Sequence, residues 1–543
     1  MKQGHFLSLL FAVVTIVMWA MPNQPQGADV TMVSGKFNSV SYTPYRPGQG
    51  PLDKTFPSPA DIRADFALIK TQADGIRTYS SVEGTVAETN ARLANHTDLA
   101  GLAQQAGLKV WLGIWLSSDP KHNQAEMAEG IREANEYPTT VTRVVVGNEV
   151  LLRRDLSVDD LIKDIDHVRA QVKQPVAYAD VTHFWNEFPQ VAPHVDIVMI
   201  HVLPYWENTP LSASQALAKM GTIIDHFKTL FPGKTISIGE TGWPSAGRGR
   251  GPAQTSRVEE AMYLRRFVTL AAQKHVDYNL IEAFDQDWKY EDEGIAGANW
   301  GIWTANRTPK FPLQGGVVEN PAWPWYAALA VALGLALYAG IGFREARLAL
   351  PAFALGNGLA FAACGTLPYL YDHWLWLDAL VNLPLQALFA WEALTRADAR
   401  LARRPPPPAV SGAEVLAALR RGRILWSYDA LWFLFLAAAA IDQARLVFAG
   451  RYLDAPMACF IIPAIAGVLR FYTKDFPKPL RWEELLAANA LALLALADLV
   501  IEGAQNLEFV LWNIAALVIA APVVAKMPGR RARAAQPLGN MKP

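Results

Sequence analysis

Thr235-Ile-Ser-Ile-Gly-Glu240-Thr-Gly-Trp-Pro244 is a short β-rich run that ends on a lone carboxylate. Gly239 removes side-chain bulk, and Gly242 with Pro244 turns the chain, so Glu240 stands where a strand opens into a loop. A strand and a turn need no acid there, and an unpaired buried carboxylate is costly. A salt bridge to Arg248 or Arg250 would account for it. A second stretch, Val141-Thr-Arg-Val-Val-Val-Gly-Asn148-Glu149, repeats the design of apolar strand, glycine and terminal acid. Two carboxylates on two strand ends suit glycosidic bond cleavage, in which one protonates the leaving oxygen and the other attacks or activates water.

Around these two stretches, strand and helix patterns alternate from about residue 35 to 311. Candidate strands cover 36–42, 75–80, 108–116, 141–149, 175–180, 195–205, 235–240 and 279–285. Between them lie helical patterns, such as the one opening at Ser58-Pro-Ala-Asp61 with a cap and a first-turn proline, and another from Ser256. Eight such repeats predict a (β/α)8 TIM barrel in the α/β class, with its active site at the carboxyl ends of the strands. Glu149 and Glu240 then end strands four and seven. An open doubly wound sheet is the competing fold, but no Gly-rich phosphate loop follows the first strand.

The 543 residues carry a net charge of −1, with 18% charged and 52% hydrophobic residues. That balance argues against a nucleic-acid partner, and it is more apolar than an ordinary soluble chain. The two cysteines, Cys364 and Cys459, both lie in apolar runs of the second half, so no disulfide framework exists. After Lys2, residues 6–21 are uncharged, which predicts a signal peptide or an N-terminal membrane anchor over residues 1–29. Ala28 could end a cleavable version, but no clean cleavage site precedes Pro22, which favours the anchor. Residues 30–318 form the predicted barrel, and 319–543 a predicted all-α polytopic transmembrane domain. Its seven apolar segments are 325–341, 348–367, 374–394, 424–440, 455–468, 485–500 and 510–524. Arginine and lysine concentrate in alternate loops: Arg344 and Arg347, the run from Arg396 to Arg423, Lys474 to Arg481, and Arg530 to Arg533. The positive-inside rule puts these loops in the cytoplasm, and hence the barrel on the periplasmic, extracytoplasmic side of the inner (plasma) membrane. The tract Pro405–Pro408 reads as a stiff linker. Asp442 and Arg445 either pair near the interface or line a polar pathway.

Val146-Gly-Asn-Glu-Val150, Ile238-Gly-Glu-Thr-Gly-Trp-Pro-Ser245 and Phe284-Asp-Gln-Asp-Trp-Lys289, followed by Asn299-Trp-Gly-Ile-Trp303, resemble the motifs of glycoside hydrolase family 17. That family comprises β-1,3-glucanases and β-1,3-glucan transglucosylases on a (β/α)8 barrel. The fusion to a polytopic domain resembles bacterial proteins described as β-(1→6)-glucan synthases. The resemblance implies a retaining mechanism, with Glu149 as general acid/base and Glu240 as nucleophile. It also implies Asn148 on the sugar 2-hydroxyl and Tyr205 within reach of the nucleophile. Phe284 and Lys289 match the third motif. Tyr79, ending strand two, either faces the site or packs in the barrel. Trp115, Phe184, Trp185, Trp206, Trp243 and Trp288 cluster at the same predicted strand ends, where flat rings suit the apolar faces of sugars. Gln286 stands where plant members commonly have an acid. No metal site is expected, because the ten histidines are scattered, and no cofactor is expected.

The expected partners are a β-glucan oligosaccharide or polysaccharide and the lipid bilayer, with other glucan synthesis or export proteins as candidates. The expected enzyme cleaves β-1,3-glucosidic bonds and transfers the glucosyl unit, with hydrolysis by an endo-β-1,3-glucanase as the alternative. A nucleotide-sugar synthase would need a metal-binding Asp-x-Asp, for which Asp164-Ile-Asp166 and Asp285-Gln-Asp287 are formal candidates. A non-catalytic glucan-binding scaffold is the third option, and the presence of both glutamates speaks against it.

Overall fold

The computed structural model describes residues 2–27, 35–51, 55–82, 98–371, 373–405, 410–476 and 482–525. Ala28, Pro406 to Pro408, Lys478, Arg481 and the terminal Arg530, Arg531 and Arg533 lie outside the described residues. Contacts divide the chain into two units, Pro25–Glu319 and Met1–Gln24 with Asn320–Pro543.

The first unit is the expected barrel. Eight strands close in sequence order: β1 (Val40–Ser41), β2 (Gly75–Arg77), β3 (Lys109–Ile114), β4 (Val141–Asn148), β5 (Val176–Val181), β6 (Ile197–His201), β7 (Thr235–Thr241) and β8 (Asp277–Leu280). All neighbouring pairs are parallel, including β1 with β8. The helices between them start where the sequence signals. Ser58 caps Pro59–Gln72 through a capping box with Asp61, and Ser212 does the same for Ala213–Leu230 with Gln215.

Apolar residues of alternating strand parity pack outward against the helices, with Val144, Val146, Val198, Ile200, Ile236 and Ile238 all buried. The opposite parity fills the lumen, where Trp111, Val145, Ala177, Ala179, Ile197 and Met199 form a separate cluster. Below it, the Arg143 guanidinium lies 3.8 Å from the centre of the Trp111 ring and bonds Asp277. The lumen is therefore plugged, and open chemistry is confined to the mouth at the strands' carboxyl ends.

Two strands break their alternation at that mouth. β4 shifts register between Val145 and Asn148, where Gly147 takes φ 89°, and Glu149 follows at φ 53°. A left-handed non-glycine residue is strained, and bulges of this kind re-aim side chains beside active sites. β7 shifts at the corresponding level, between Ile238 and Thr241. Gly239 is required there, since a Cβ would stand 2.8 Å from Cδ2 of His201.

The second unit is helical. Among its described residues, six helices are long and apolar enough to cross a membrane: Gln3–Ala20, Trp323–Gly340, Ala346–Tyr369, Tyr428–Tyr452, Trp482–Glu502 and Leu507–Val524. Met457–Thr473 is a shorter apolar helix, and His373–Leu401 is 29 residues long. The N-terminal helix packs inside this unit. Asn357 accepts from the Trp19 indole at 3.1 Å and donates to Thr15 at 2.9 Å, and Trp19 stacks on Tyr326. Buried charges are paired: Arg396 bonds Asp475 and Asp429, and Arg470 bonds Asp429. Asp442 and Arg445 pair with each other at 3.2 Å.

Candidate active site

Glu149 and Glu240, from β4 and β7, converge at the barrel mouth. A carboxylate oxygen of each and a ring nitrogen of His201, from β6, all lie within 4.8 Å of one another. Glu240 is buried, and it pairs with neither Arg248 nor Arg250. Its cation is Arg77 of β2, whose Nη1 lies 3.1 Å from Oε1. The hydroxyl of Tyr79 donates to the same oxygen at 2.8 Å. Oε2 takes no part in these bonds.

Arg77 organises the mouth. Besides Glu240, Nη1 donates to the Gly239 carbonyl at 2.8 Å and to Nε2 of His201 at 3.0 Å, while Nη2 donates to Oδ1 of Asn148 at 2.7 Å. A guanidinium only donates, so Nε2 must present its lone pair and the ring proton sits on Nδ1. Nδ1 then donates to Oε1 of Glu149 at 2.7 Å. Burial pushes the Glu149 carboxyl up. The His201 hydrogen bond, with the electrostatic pull of His201, Arg77 and Arg153, outweighs it and holds the group below the ordinary glutamate range. Glu149, His201 and Glu240 could in principle ligate a cation. However, the His201 Nε2 and Glu240 Oε1 lone pairs already face the Arg77 guanidinium, which fills the cationic role.

Behind Tyr79 runs a chain of donors. Nδ2 of Asn279 (β8) donates to Oγ of Ser41 (β1) at 2.7 Å, and Oγ lies 2.8 Å from the Tyr79 hydroxyl. Since Tyr79 gives its proton to Glu240, Ser41 must donate to Tyr79. Burial, and then the Glu240 charge, raises the Tyr79 phenol well above its ordinary value, which keeps it a donor.

Lys289 reaches the adjacent face. Its Nζ lies 2.6 Å from Oε1 of Glu282, a buried carboxyl pushed up to about 7 by burial against the pull of Lys289. Burial lowers the Lys289 ammonium, but the charges of Glu282 and Glu293 outweigh it and raise it overall.

Several sequence expectations are corrected here. Tyr205 is fully buried, and its single hydroxyl proton goes to the Arg248 carbonyl at 2.6 Å, so Tyr79 and not Tyr205 bonds Glu240. Trp185, Trp243 and Phe284 are core residues with no face for a sugar. The Trp185 indole donates to the Met199 carbonyl, Trp243 donates to the Gln254 carbonyl, and Phe284 packs on Trp303 beneath Arg307. Trp115, Trp206 and Trp288 keep partial exposure. Arg153 stacks on Trp115 at 4.0 Å, Trp206 stacks on Trp300, and Trp288 bonds Gln286. Gln286 itself is buried and bonds the Thr43 carbonyl at 3.1 Å. Neither Asp-x-Asp motif is a diphosphate site. Asp164 and Asp166 lie on the helix Val158–Arg169, with Asp166 bound to His194, and Asp285 is buried against Lys310.

Arg77 and His201 were missing from the sequence reading. One signal existed for Arg77, a charged residue inside an apolar strand at the same parity as Tyr79. His201 had none beyond its place at the end of β6.

Residues 39–301 match the family model of the BtgE/BtgC glycoside hydrolase domain. A Schizosaccharomyces pombe protein described as a glucan 1,3-beta-glucosidase is 27% identical over 268 residues, 47% of this chain and 80% of that protein. A Candida albicans protein of the same description is 26% identical over 276 residues, 46% of this chain and 87% of that protein. Among solved structures, an active-site mutant of the Rhizomucor miehei β-1,3-glucanosyltransferase in complex with laminaritriose is 25% identical. The match covers 52% of this chain and 98% of that one, with a TM-score of 0.43.

Proposed function

We propose, from the match of residues 39–301 to the BtgE/BtgC glycoside hydrolase domain, that the barrel cleaves β-1,3-glucosidic bonds by double displacement with retention. Oε2 of Glu240 attacks the anomeric carbon while Glu149, ionised in the free enzyme and taking up a proton when substrate binds, gives that proton to the departing glycosidic oxygen, and a glucosyl ester forms on Glu240. Glu149, now ionised, takes a proton from an incoming hydroxyl, whose oxygen displaces Glu240 and restores the free enzyme. The observation that carries this is the proximity of the two carboxylates, of which one oxygen each comes within 4.8 Å of the other. Retaining pairs stand about 5–5.5 Å apart, whereas inverting pairs need about 6.5–9.5 Å to seat a water. The two bonds fall on Oε1 of Glu240, which leaves Oε2 as the attacking oxygen. Asn148, with Oδ1 held by Arg77, has its amide nitrogen to offer a sugar hydroxyl, and Trp115, Trp206 and Trp288 are the remaining aromatic platforms.

The acceptor is a sugar hydroxyl in this proposal, so that the enzyme transfers glucan, with water as the competing acceptor. The helical unit spans the inner membrane and anchors the barrel outside the cytoplasm. Two features support that: the six apolar helices, and the exposed rings of Trp325, Trp376, Trp426 and Trp482 near helix ends, where interfacial tryptophans belong. The full-length protein in detergent, incubated with β-1,3-gluco-oligosaccharides beside Glu240→Gln, tests the transfer. Products longer than the substrate, absent in the variant, support transfer, and only shorter products make it a hydrolase. Equal behaviour of the two proteins would remove Glu240 from the mechanism.

A further inference from the structure

His201 touches both catalytic carboxylates, and it is almost wholly buried at the end of β6. Its two nitrogens are assigned by their neighbours: Arg77 donates to Nε2 at 3.0 Å, and Nδ1 donates to Oε1 of Glu149 at 2.7 Å. The register that sets His201 beside Glu240 across β6 and β7 holds the ring in place, and Gly239 leaves it room. We propose, building on the double-displacement mechanism above, that His201 is a positioning residue of the acid/base. By occupying Oε1 of Glu149 as a donor, it leaves Oε2 as the oxygen that carries the transferable proton.

The physical reason is that a carboxyl oxygen accepting a hydrogen bond in the plane of the group is a poor place for its own proton. Without the Nδ1 donor the proton could reside on either oxygen, and one of the two points away from the substrate. The same bond favours the ionised form, which is the form that must deprotonate the acceptor in the second step. His201 thereby serves both halves of the reaction from one position.

Several charged groups face Glu149. Besides His201, these are Arg77 of β2, Arg153 after β4, Asp180 of β5, Glu240 of β7 and Glu293 after β8. Arg153 is engaged with Asp155 and with the Asn148 and Leu116 carbonyls, and Asp180 accepts from Tyr178 and the Val181 amide. Among the described residues, the hydrogen bond from His201 is the one that reaches the Glu149 carboxylate directly.

The test compares His201→Leu with His201→Asn in the full-length protein, using kcat/KM against pH on a β-1,3-gluco-oligosaccharide. Asparagine places an amide N–H where Nδ1 stood, whereas leucine places none. The general acid works protonated. Losing a donor to the ionised form raises its pKa, so His201→Leu moves the alkaline limb to higher pH and lowers kcat tenfold or more. His201→Asn keeps the limb at the wild-type position and recovers most of kcat. An unmoved limb in the leucine variant would overturn the proposal, and so would equal losses in both variants with unchanged limbs. Glu149→Gln separates the two levels. If it retains wild-type kcat, the acid/base assignment fails. If it is inactive while the leucine limb stays put, only the role of His201 fails.

Discussion

Two tyrosines compete for one role, and their phenylalanine variants separate them. In Tyr79→Phe the Glu240 carboxylate loses a donor at 2.8 Å, while Arg77 keeps its contact with the same oxygen. A hydrogen bond to a charged group is worth about 1.5–3 kcal/mol. If that energy holds Oε2 on its line of attack, kcat falls by about 10- to 150-fold at 1.36 kcal/mol per decade. KM should change little, because the hydroxyl faces the enzyme's own carboxylate. In Tyr205→Phe the lost bond is a neutral one to the Arg248 carbonyl, worth about 0.5–1.5 kcal/mol of stability, and kcat should stay at the wild-type value. The assay is steady-state cleavage of a β-1,3-gluco-oligosaccharide by full-length variants, each checked for wild-type thermal inactivation. A full-rate Tyr79→Phe beside a crippled Tyr205→Phe would refute the structural assignment and restore the one suggested by sequence.

Other consequences follow from the same contacts. Glu260 is fully buried and is pushed up to about 8 by burial, against the pull of Lys310. An acid whose folded pKa is raised costs nothing below its ordinary value of about 4.3, and the cost grows as pH climbs towards 8, to roughly 5 kcal/mol in full. Glu260→Gln should therefore slow thermal inactivation of the glucanase activity at alkaline pH and leave it unchanged in acid. Lys289→Met strands the buried Glu282 carboxyl and should cost about 3–5 kcal/mol of barrel stability. The double variant with Glu282→Gln should regain much of that, as read by heat-inactivation half-lives. For the membrane arrangement, Arg403→Cys in a Cys364→Ser, Cys459→Ser background should react with an impermeant maleimide only after the cytoplasmic face is opened. Labelling in intact cells would invert the proposed topology.

The barrel and its two acids were legible because each acid follows a glycine at the end of a β-branched run, a local pattern that one sequence displays. β8 was placed late, at 279–285. The strand spans Asp277–Leu280, after which the chain turns inward to pair Phe284 with Trp303. The aromatic platforms were harder to identify. Trp185, Trp243 and Phe284 sit near strand ends as expected but are covered by neighbouring side chains, and position along a strand does not reveal how far a large ring is covered. Arg77 reaches His201 across 124 residues of sequence and Glu240 across 163. Such convergence is created by closing the barrel, so no local pattern carries it. The pairing of Asp442 with Arg445 was legible because helical spacing alone brings them together.

The claim that Glu240 is a covalent nucleophile is tested most directly by trapping. A 2-deoxy-2-fluoro β-1,3-glucobiosyl fluoride forms the ester but slows its breakdown, so the full-length protein can be inactivated, digested and sequenced by mass spectrometry. The account predicts one glucobiosyl adduct per chain, on Glu240 in the peptide that carries Ile238-Gly-Glu-Thr-Gly-Trp, with none in Glu240→Gln. An adduct on Glu149, or turnover that inverts the anomeric centre with no adduct, would contradict it.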